Sequence, residues 1–407
     1  MSNFTDFIGG GGGGGGLYGG VIMEIPLTRS QTFVPPRNGT VNIICVGAGG
    51  GGAYTHGTGG TIATGGGAGG LCIKEGLEVT TSGSFTITIG SGGAGKESNS
   101  QVNGNDGGNT TVSGTGLSST LTANGGGGGR SITTTESGAA GGTGGTASNG
   151  DFNRTGGAGG SVGSGIVTSS NRGYLDLSTG GGAVAILTST GYAGGSFTLA
   201  GGGTQITNDH YFGSGGAGIG GRGGGVHAWS GNLGASLLGF NGGGSNYAGY
   251  DHVVQYDWIS AGTSSAGRGE AFAFPYVGAS LIGQSTAIGG AGNHGSNAPT
   301  NGGGIRQSRN NGDGNYFDFE GHVNSMGAGG GGYTGNNTGI RSAYGGAFAG
   351  GGGTTHYANS DLRYARTGDG GVGGGGGGFV SFASSAQYGT SGYGGPGMVF
   401  IHYTAYA

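Results

Sequence analysis

Residues 40–53, TVNIICVGAGGGGA, set the pattern for the whole chain: an alternating strand runs directly into glycine. Val41, Ile43 and Cys45 fall on one face and Asn42, Ile44 and Val46 on the other, so both faces are mostly apolar and a buried strand is predicted. Ahead of it, SQTFV and PPRNG read as a strand and a turn, with Asn38-Gly39 supplying a dipeptide that takes positive φ cheaply. GLCIKEGLEVT offers two more short apolar segments. In SFTITIG, Phe85, Ile87 and Ile89 alternate with Thr86 and Thr88, as a strand with one buried face does. The last strand is GMVFIHYTA, where Met398, Phe400 and His402 alternate with Val399, Ile401 and Tyr403; it is predicted to pair with the opening strands. No segment keeps a 3.6-residue period over two turns, so little or no α-helix is expected.

Composition explains what lies between the strands. Glycine supplies 120 of 407 residues, without a fixed overall period and with six prolines, which excludes collagen. A solvated Gly/Ser linker would not carry 16 Phe, 18 Tyr and two Trp. Ordering glycine costs about 1–2 kcal/mol of backbone entropy per residue, and side-chain burial offers glycine nothing in return. Buried backbone groups must still be paired. The arrangement that uses this much glycine is a set of polyproline-II-like threads, packed side by side and hydrogen-bonded to several neighbours. The predicted fold is therefore all-β: a small antiparallel β-sandwich with long glycine-rich insertions packed as polyglycine-II helices.

Three regions follow. Residues 1–28 form an attachment segment, with Phe4, Phe7 and Ile8 as an apolar hook and an octaglycine swivel at 9–16. Residues 29–407 form the glycine-rich domain, and within it 234–289 is a glycine-poor, aromatic insertion expected to be irregular.

Charge and motifs argue mainly by exclusion. Fourteen Lys and Arg against eighteen Asp and Glu, scattered singly, make no basic stripe for nucleic acid and no polybasic membrane patch. No apolar run approaches a membrane span, and MSNFTDFIGG lacks the n- and h-regions of a signal peptide, so synthesis and folding in a cytoplasm are expected. Cys45 and Cys72 have neither CxxC spacing nor nearby histidines, and are read as two buried thiols ahead of a disulfide. Gly47, Gly49 and Gly52 with Glu75 match a dinucleotide fingerprint, but AYTHGTGGTIATGGG follows where a helix is required. No GK[ST] occurs. The eight histidines show no HExxH spacing and are read as surface or loop-corner residues; Asp209-His210 and Asp251-His252 are the weak candidates for ion contacts. No catalytic residue, metal site or cofactor is assigned, and the chain is read as a non-enzyme.

The order of motifs resembles the glycine-rich domain found in phage tail-fibre and tail-tip proteins and, distantly, in the ectodomain of one receptor tyrosine kinase subfamily. The resemblance rests on Thr32-Phe33-Val34-Pro35, VGAGGGG at 46–52, GGGAGGL at 65–71, TITIGSGGAG at 86–95, GGN at 107–109 with TANGGGGG at 122–129, and GGPGMVFIHY at 394–403. It implies a virion adhesin, assembled in the host cytoplasm, whose loops meet a host cell-surface receptor, either a glycan or an outer-membrane protein. Residues 1–28 would then join it to other virion proteins or close a homo-oligomer. The residues nominated for receptor binding are Tyr211, Trp229, Tyr247, Tyr250, Tyr256, Trp258, Tyr276 and Tyr316, aromatics between glycine runs that offer large contact area with one polar end. Phe212, Phe272, Phe274, Phe317 and Tyr357 share that setting, and the plainer reading of the whole set is a second core or caps on the glycine lattice. The rival function is a structural subunit of a fibre, filament or capsid decoration, with no receptor.

Overall fold

A computed structural model describes residues 22–57, 60–97, 101–132, 138–163, 175–185, 190–199, 210–218, 222–223, 226–229, 236–239, 293–294, 329–330, 332–335, 344–356, 367–381 and 389–406. Among them the fold is all-β, with no helix.

At one end, the base, two antiparallel sheets share a core. The first runs in the order β1 (Ile22–Leu27), β22 (Met398–Ala405), β3 (Gly39–Val46), β6 (Leu71–Val79), β12 (Phe152–Arg154). The second runs β11 (Ala147–Ser148), β9 (Leu121–Ala123), β8 (Thr110–Gly114), β7 (Phe85–Thr88), β2 (Gln31–Phe33). Val41, Ile43 and Cys45 of β3 and Val399, Ile401 and Tyr403 of β22 meet Phe85, Ile87, Val112 and Leu121 of the facing sheet. Phe33 joins them, with its ring centroid 6.3 Å from that of Phe85 and 6.4 Å from that of Tyr403. The buried Tyr403 hydroxyl donates to the Arg37 carbonyl at 2.8 Å and accepts from its N–H at 3.1 Å.

The second face of β3 is buried too, which is why its sequence is apolar on both sides. Ile44 and Val46, with Leu71, Ile73, Met398 and Phe400, pack against Val184, Ala185, Ala347 and Phe348, residues at the inner ends of the glycine segments. The expected turn at Asn38-Gly39 is corrected here. β2 and β3 lie in different sheets, and Gly39 has no positive φ; it opens β3. Glycine is required there because a Cβ would lie 2.2 Å from the Thr404 carbonyl oxygen. The long-range partners β22 and β6 outweigh the local hairpin signal.

From the base, glycine threads run outward and back. Residues 47–53 show how they are held. Gly47, Gly50 and Ala53 donate to the carbonyls of Gly70, Gly67 and Thr64; Ala48, Gly51 and Tyr54 donate to Gly108, Asn105 and Val102; Gly49 and Gly52 donate to Gly395 and Gly392. The N–H groups therefore point to three antiparallel neighbours in turn, with a period of three residues, the repeat of a polyproline-II thread. Its carbonyls accept from three further threads, through Gly93, through Gly126 and Gly129, and through Gly376 and Phe379. Six neighbours thus surround this thread by backbone bonds alone. Residues 64–70 are enclosed in the same way. At about 3.1 Å per residue, seven residues carry the chain some ~22 Å from the base.

Where a thread lies on the flank, side chains return at every third position. Ala140, Thr143 and Thr146 are exposed while their intervening glycines face inward, and the adjoining thread repeats the period with Ala158 exposed between the half-buried Thr155 and Ser161. This local x-G-G period is hidden in a chain whose glycine has no overall period. Asn103, Asp106 and Asn109 use it differently: their side-chain oxygens accept from the N–H groups of Ser131, Gly128 and Gly125 at 2.9, 2.8 and 3.0 Å. The bonds between these two threads in the other direction are backbone, from Gly104 and Gly107 to Gly129 and Gly126.

At the far end, the tip, the threads pass into short strands. One sheet runs β10 (Ser131–Ile132), β5 (Ile62–Ala63), β13 (Leu175–Ser178), β15 (His210–Gly213), β17 (Ser236–Gly239), antiparallel only between β10 and β5. The other is parallel throughout: β18 (Asn293–His294), β19 (Tyr333–Gly335), β20 (Thr354–His356), β21 (Phe379–Ser381), β4 (Tyr54–His56). A two-stranded parallel ribbon pairs β14 (Phe197–Leu199) with β16 (Val226–Trp229). The antiparallel framework expected from sequence is therefore confined to the base. The tip is parallel because β4, β19, β20 and β21 each continue a thread that runs outward.

Two stability outcomes follow. Gly50→Ala places a Cβ 2.1 Å from the Gly127 carbonyl oxygen inside the lattice, whereas Thr143→Ala removes an exposed side chain. Thermal unfolding should register a loss of more than about 2 kcal/mol for the first and under about 0.5 kcal/mol for the second. Asp106→Ala, which orphans the Gly128 N–H, should cost about 0.5–1.5 kcal/mol, and Asp106→Asn, which keeps an acceptor, much less; urea titration of the pair distinguishes them.

Candidate functional site

The tip is where the long segments between strands are rooted. Residues 240–292 lie between β17 and β18, 295–328 between β18 and β19, 357–366 follow β20, and 382–388 follow β21. Of the eight nominated aromatics, Tyr247, Tyr250, Tyr256, Trp258, Tyr276 and Tyr316 fall in the first two of these segments and lie outside the described residues. Phe272, Phe274 and Phe317 do the same, and Tyr357, just after β20, also lies outside the described residues. Tyr211 and Trp229 are strand residues and not loop residues: Tyr211 stands in β15 opposite Asp176 and Leu237, and Trp229 in β16 opposite Leu199. Phe212 is fully buried and stacks on Phe197 at 5.7 Å, as the second-core reading requires.

The two tip sheets are joined by hydroxyls beside a small apolar contact of Ala53, Ala63 and Val380. Thr355 Oγ1 donates to the Phe212 carbonyl at 2.7 Å and pairs with the Ser178 hydroxyl at 2.9 Å, and Thr55 Oγ1 donates to the Ile62 carbonyl at 2.8 Å. Asp176 is fully buried and its Oδ1 accepts from the Thr61 N–H at 3.0 Å and from the Thr61 hydroxyl at 2.7 Å. Just inside the tip, Thr179 Oγ1 accepts from the Gly65 N–H and donates to the Gly160 carbonyl, and Ser214 Oγ does the same between Gly180 and Gly195. Each hydroxyl stands in for a missing backbone partner where a strand meets the lattice. These paired hydroxyls and the Asp176 carboxylate fix the spacing of the strands they join.

The described histidines are strand residues and not loop corners, and His356 departs from the surface reading as well. His56, His210, His227, His294, His356 and His402 all lie in strands, and His356 is buried. His252 and His322, like Asp209 and Asp251, lie outside the described residues. The dinucleotide-like run is a lattice thread: the N–H groups of Gly47, Gly49 and Gly52 already donate to Gly70, Gly395 and Gly392, and none remains to bind a phosphate. Among the described residues, no group of three or more His, Cys, Asp or Glu side chains could hold a metal ion, and no helix is long and apolar enough to cross a membrane.

At the base, an open groove of about 410 Å³ is lined by Lys74, Glu75, Leu77, Glu78, Leu117 and Ser118 among others. Beside it, Asp151 accepts from the Glu75 N–H and the Lys74 ammonium, both at 2.7 Å. The Glu75 N–H and then Lys74 hold the Asp151 carboxyl below the usual carboxylate range. The Tyr406 hydroxyl donates to Glu78, which raises the phenol.

Cys45 and Cys72 are free, buried and directly opposite each other on β3 and β6. Desolvation pushes the Cys45 thiol well up, with Cys72 adding to the rise, and pushes Cys72 up to about 11 although backbone hydrogen bonds from Thr122 and Gly150 pull the other way.

The chain matches no known protein-family model and no curated protein sequence.

Raised thiol pKa values leave little thiolate at pH 8, so both cysteines should resist alkylation in the folded protein. Iodoacetamide labelling followed by mass spectrometry should give no adduct over hours at pH 8 and two adducts per chain in guanidinium. Rapid labelling of the native chain would contradict the burial.

Proposed function

We propose that this chain is a virion adhesin of the tail-fibre or tail-tip kind, fixed at its base and binding a bacterial surface receptor through the aromatic segments at its tip. The observation that carries this reading is the polarity of the molecule. β1 begins at Ile22, whose cross-strand partner is Thr404, and Thr404 pairs with Thr40 at the start of β3, whose other end leads into the lattice. The attachment segment thus joins the body at the end farthest from the tip, and the C-terminal strand finishes beside it. The glycine-poor segment joins at the tip, through β17 and β18. Loops held by a rigid scaffold suit recognition, and Tyr and Trp suit a glycan or an outer-membrane protein. Of residues 1–28, Ile22–Leu27 are already taken up as β1 in the base sheet, so the part that precedes β1 would engage other virion proteins or close a homo-oligomer.

Labelled full-length chain should bind a narrow set of strains in a panel of bacterial cells. A variant with Tyr250, Trp258 and Tyr276 changed to Ala, matched for strand content by circular dichroism, should bind at least about tenfold more weakly. Binding unchanged in the variant would remove these aromatics from the contact. Absence of binding to every strain, together with growth of long fibres by the purified chain, would replace the adhesin with a structural subunit.

A further inference from the structure

Three strands of the parallel tip sheet end on His356, Ser381 and His56, which stand in register across β20, β21 and β4. Register partners in a sheet project to the same face, so the three side chains form one row with the serine in the middle. Thr55, Thr355 and Val380 take the opposite face, where Thr355 reaches Ser178 of the neighbouring sheet. One step inward on the histidine face comes the row Thr354, Phe379, Tyr54, in which the Phe379 and Tyr54 rings stack at 5.4 Å and 3°. His356 and Ser381 are almost wholly enclosed, at 1% and 0% exposure.

In and beside this row, buried polar atoms lack hydrogen-bond partners among the described residues: Nδ1 of His56 and, one step inward, Oγ1 of Thr354. A buried polar atom left unpaired costs about 1–3 kcal/mol. Native structures explain such atoms by an ordered water or an ion. Here the neighbouring chemistry favours an ion. Strands spaced about 4.8 Å apart put the His56 and His356 backbones roughly 10 Å from each other, so imidazoles from either side can converge above Ser381. Imidazole suits Zn²⁺, Ni²⁺ and Cu²⁺, whereas Ca²⁺ and Mg²⁺ demand carboxylate-rich oxygen cages, which this row lacks.

We propose that His56 and His356 bind one divalent transition-metal ion over Ser381, with Zn²⁺ as the first ion to try and water in the remaining positions. The ion would tie β4 to β20 across β21 at the points where residues 57–60, 357–366 and 382–388 leave the sheet. The site is independent of what the tip recognises.

Full-length chain stripped with EDTA would be titrated with Zn²⁺ by calorimetry, and bound metal counted by elemental analysis after gel filtration. We expect one Zn²⁺ per chain, affinity reduced at least about tenfold in H56N and in H356N, and no change in H402N, whose histidine lies in the base sheet. Zn²⁺ should also slow amide exchange in 354–356 and 379–381. Should H356N fail to fold, H56N alone decides, because His56 lies on the edge strand and is only partly buried. Folded wild type that takes up no Zn²⁺ would overturn the proposal and leave ordered water as the partner of the buried atoms. Uptake equal in wild type, H56N and H356N would overturn it as well, by moving the metal to other histidines.

Discussion

The backbone hydrogen bond between glycine threads governs this protein. At Gly49, Gly50 and Gly52 a Cβ would lie about 2 Å from a neighbouring carbonyl oxygen, at 1.9, 2.1 and 1.9 Å. The same closeness gives residues 47–53 six hydrogen-bonded neighbours. A net gain of about 1 kcal/mol per bond is modest, but each thread makes such bonds in every direction around its axis. Glycine's entropic handicap is offset only if nearly every N–H finds its carbonyl. That requirement explains the hydroxyl relays at Thr179 and Ser214 and the side-chain acceptors at Asn103, Asp106 and Asn109, all of which stand where a backbone partner is missing.

The ends of the lattice solve a different problem by different means. At the base, apolar side chains from two sheets close a core, and the outer face of β3 covers Val184, Ala185, Ala347 and Phe348 at the inner thread ends. Phe348 holds a positive φ of 68° to do so, a conformation that its burial must sustain. At the tip, threads fan into parallel strands whose interior mixes Thr, Ser, Asp and His with stacked aromatics such as Tyr54 on Phe379 and Phe197 on Phe212. Hydrophobic burial is non-directional, whereas a paired hydroxyl fixes distance and angle, so at the tip hydroxyls add geometric definition to the apolar packing.

Much of the base was legible from alternation. Val41, Ile43 and Cys45 in one core and Ile44 and Val46 in another are what an apolar run on both faces implies, and the pairing of residues 398–405 with the opening strands follows from the same pattern. Asn38-Gly39 misled because a local turn signal carries no knowledge of β22 and β6. The x-G-G rows at 140, 143, 146 and 155, 158, 161 were present in the sequence, but a search for one period along the whole chain hides them. Parallel strands at the tip could not be foreseen, since thread direction and not side-chain pattern sets them. The row of His56, Ser381 and His356 joins His56 to residues 300 and 325 positions away, and only register reveals it.

The order of the base sheet bears on how the chain is made. β22 lies between β1 and β3, so those two strands face a gap until residues 398–405 emerge from the ribosome. Throughout the translation of roughly 350 intervening residues, two apolar strands keep open edges, the condition under which nascent chains aggregate. Contacts this distant in sequence also form slowly. A body rigid once complete thus spends its synthesis with its keystone missing, and its yield in a cell would depend on what shelters those edges in the meantime.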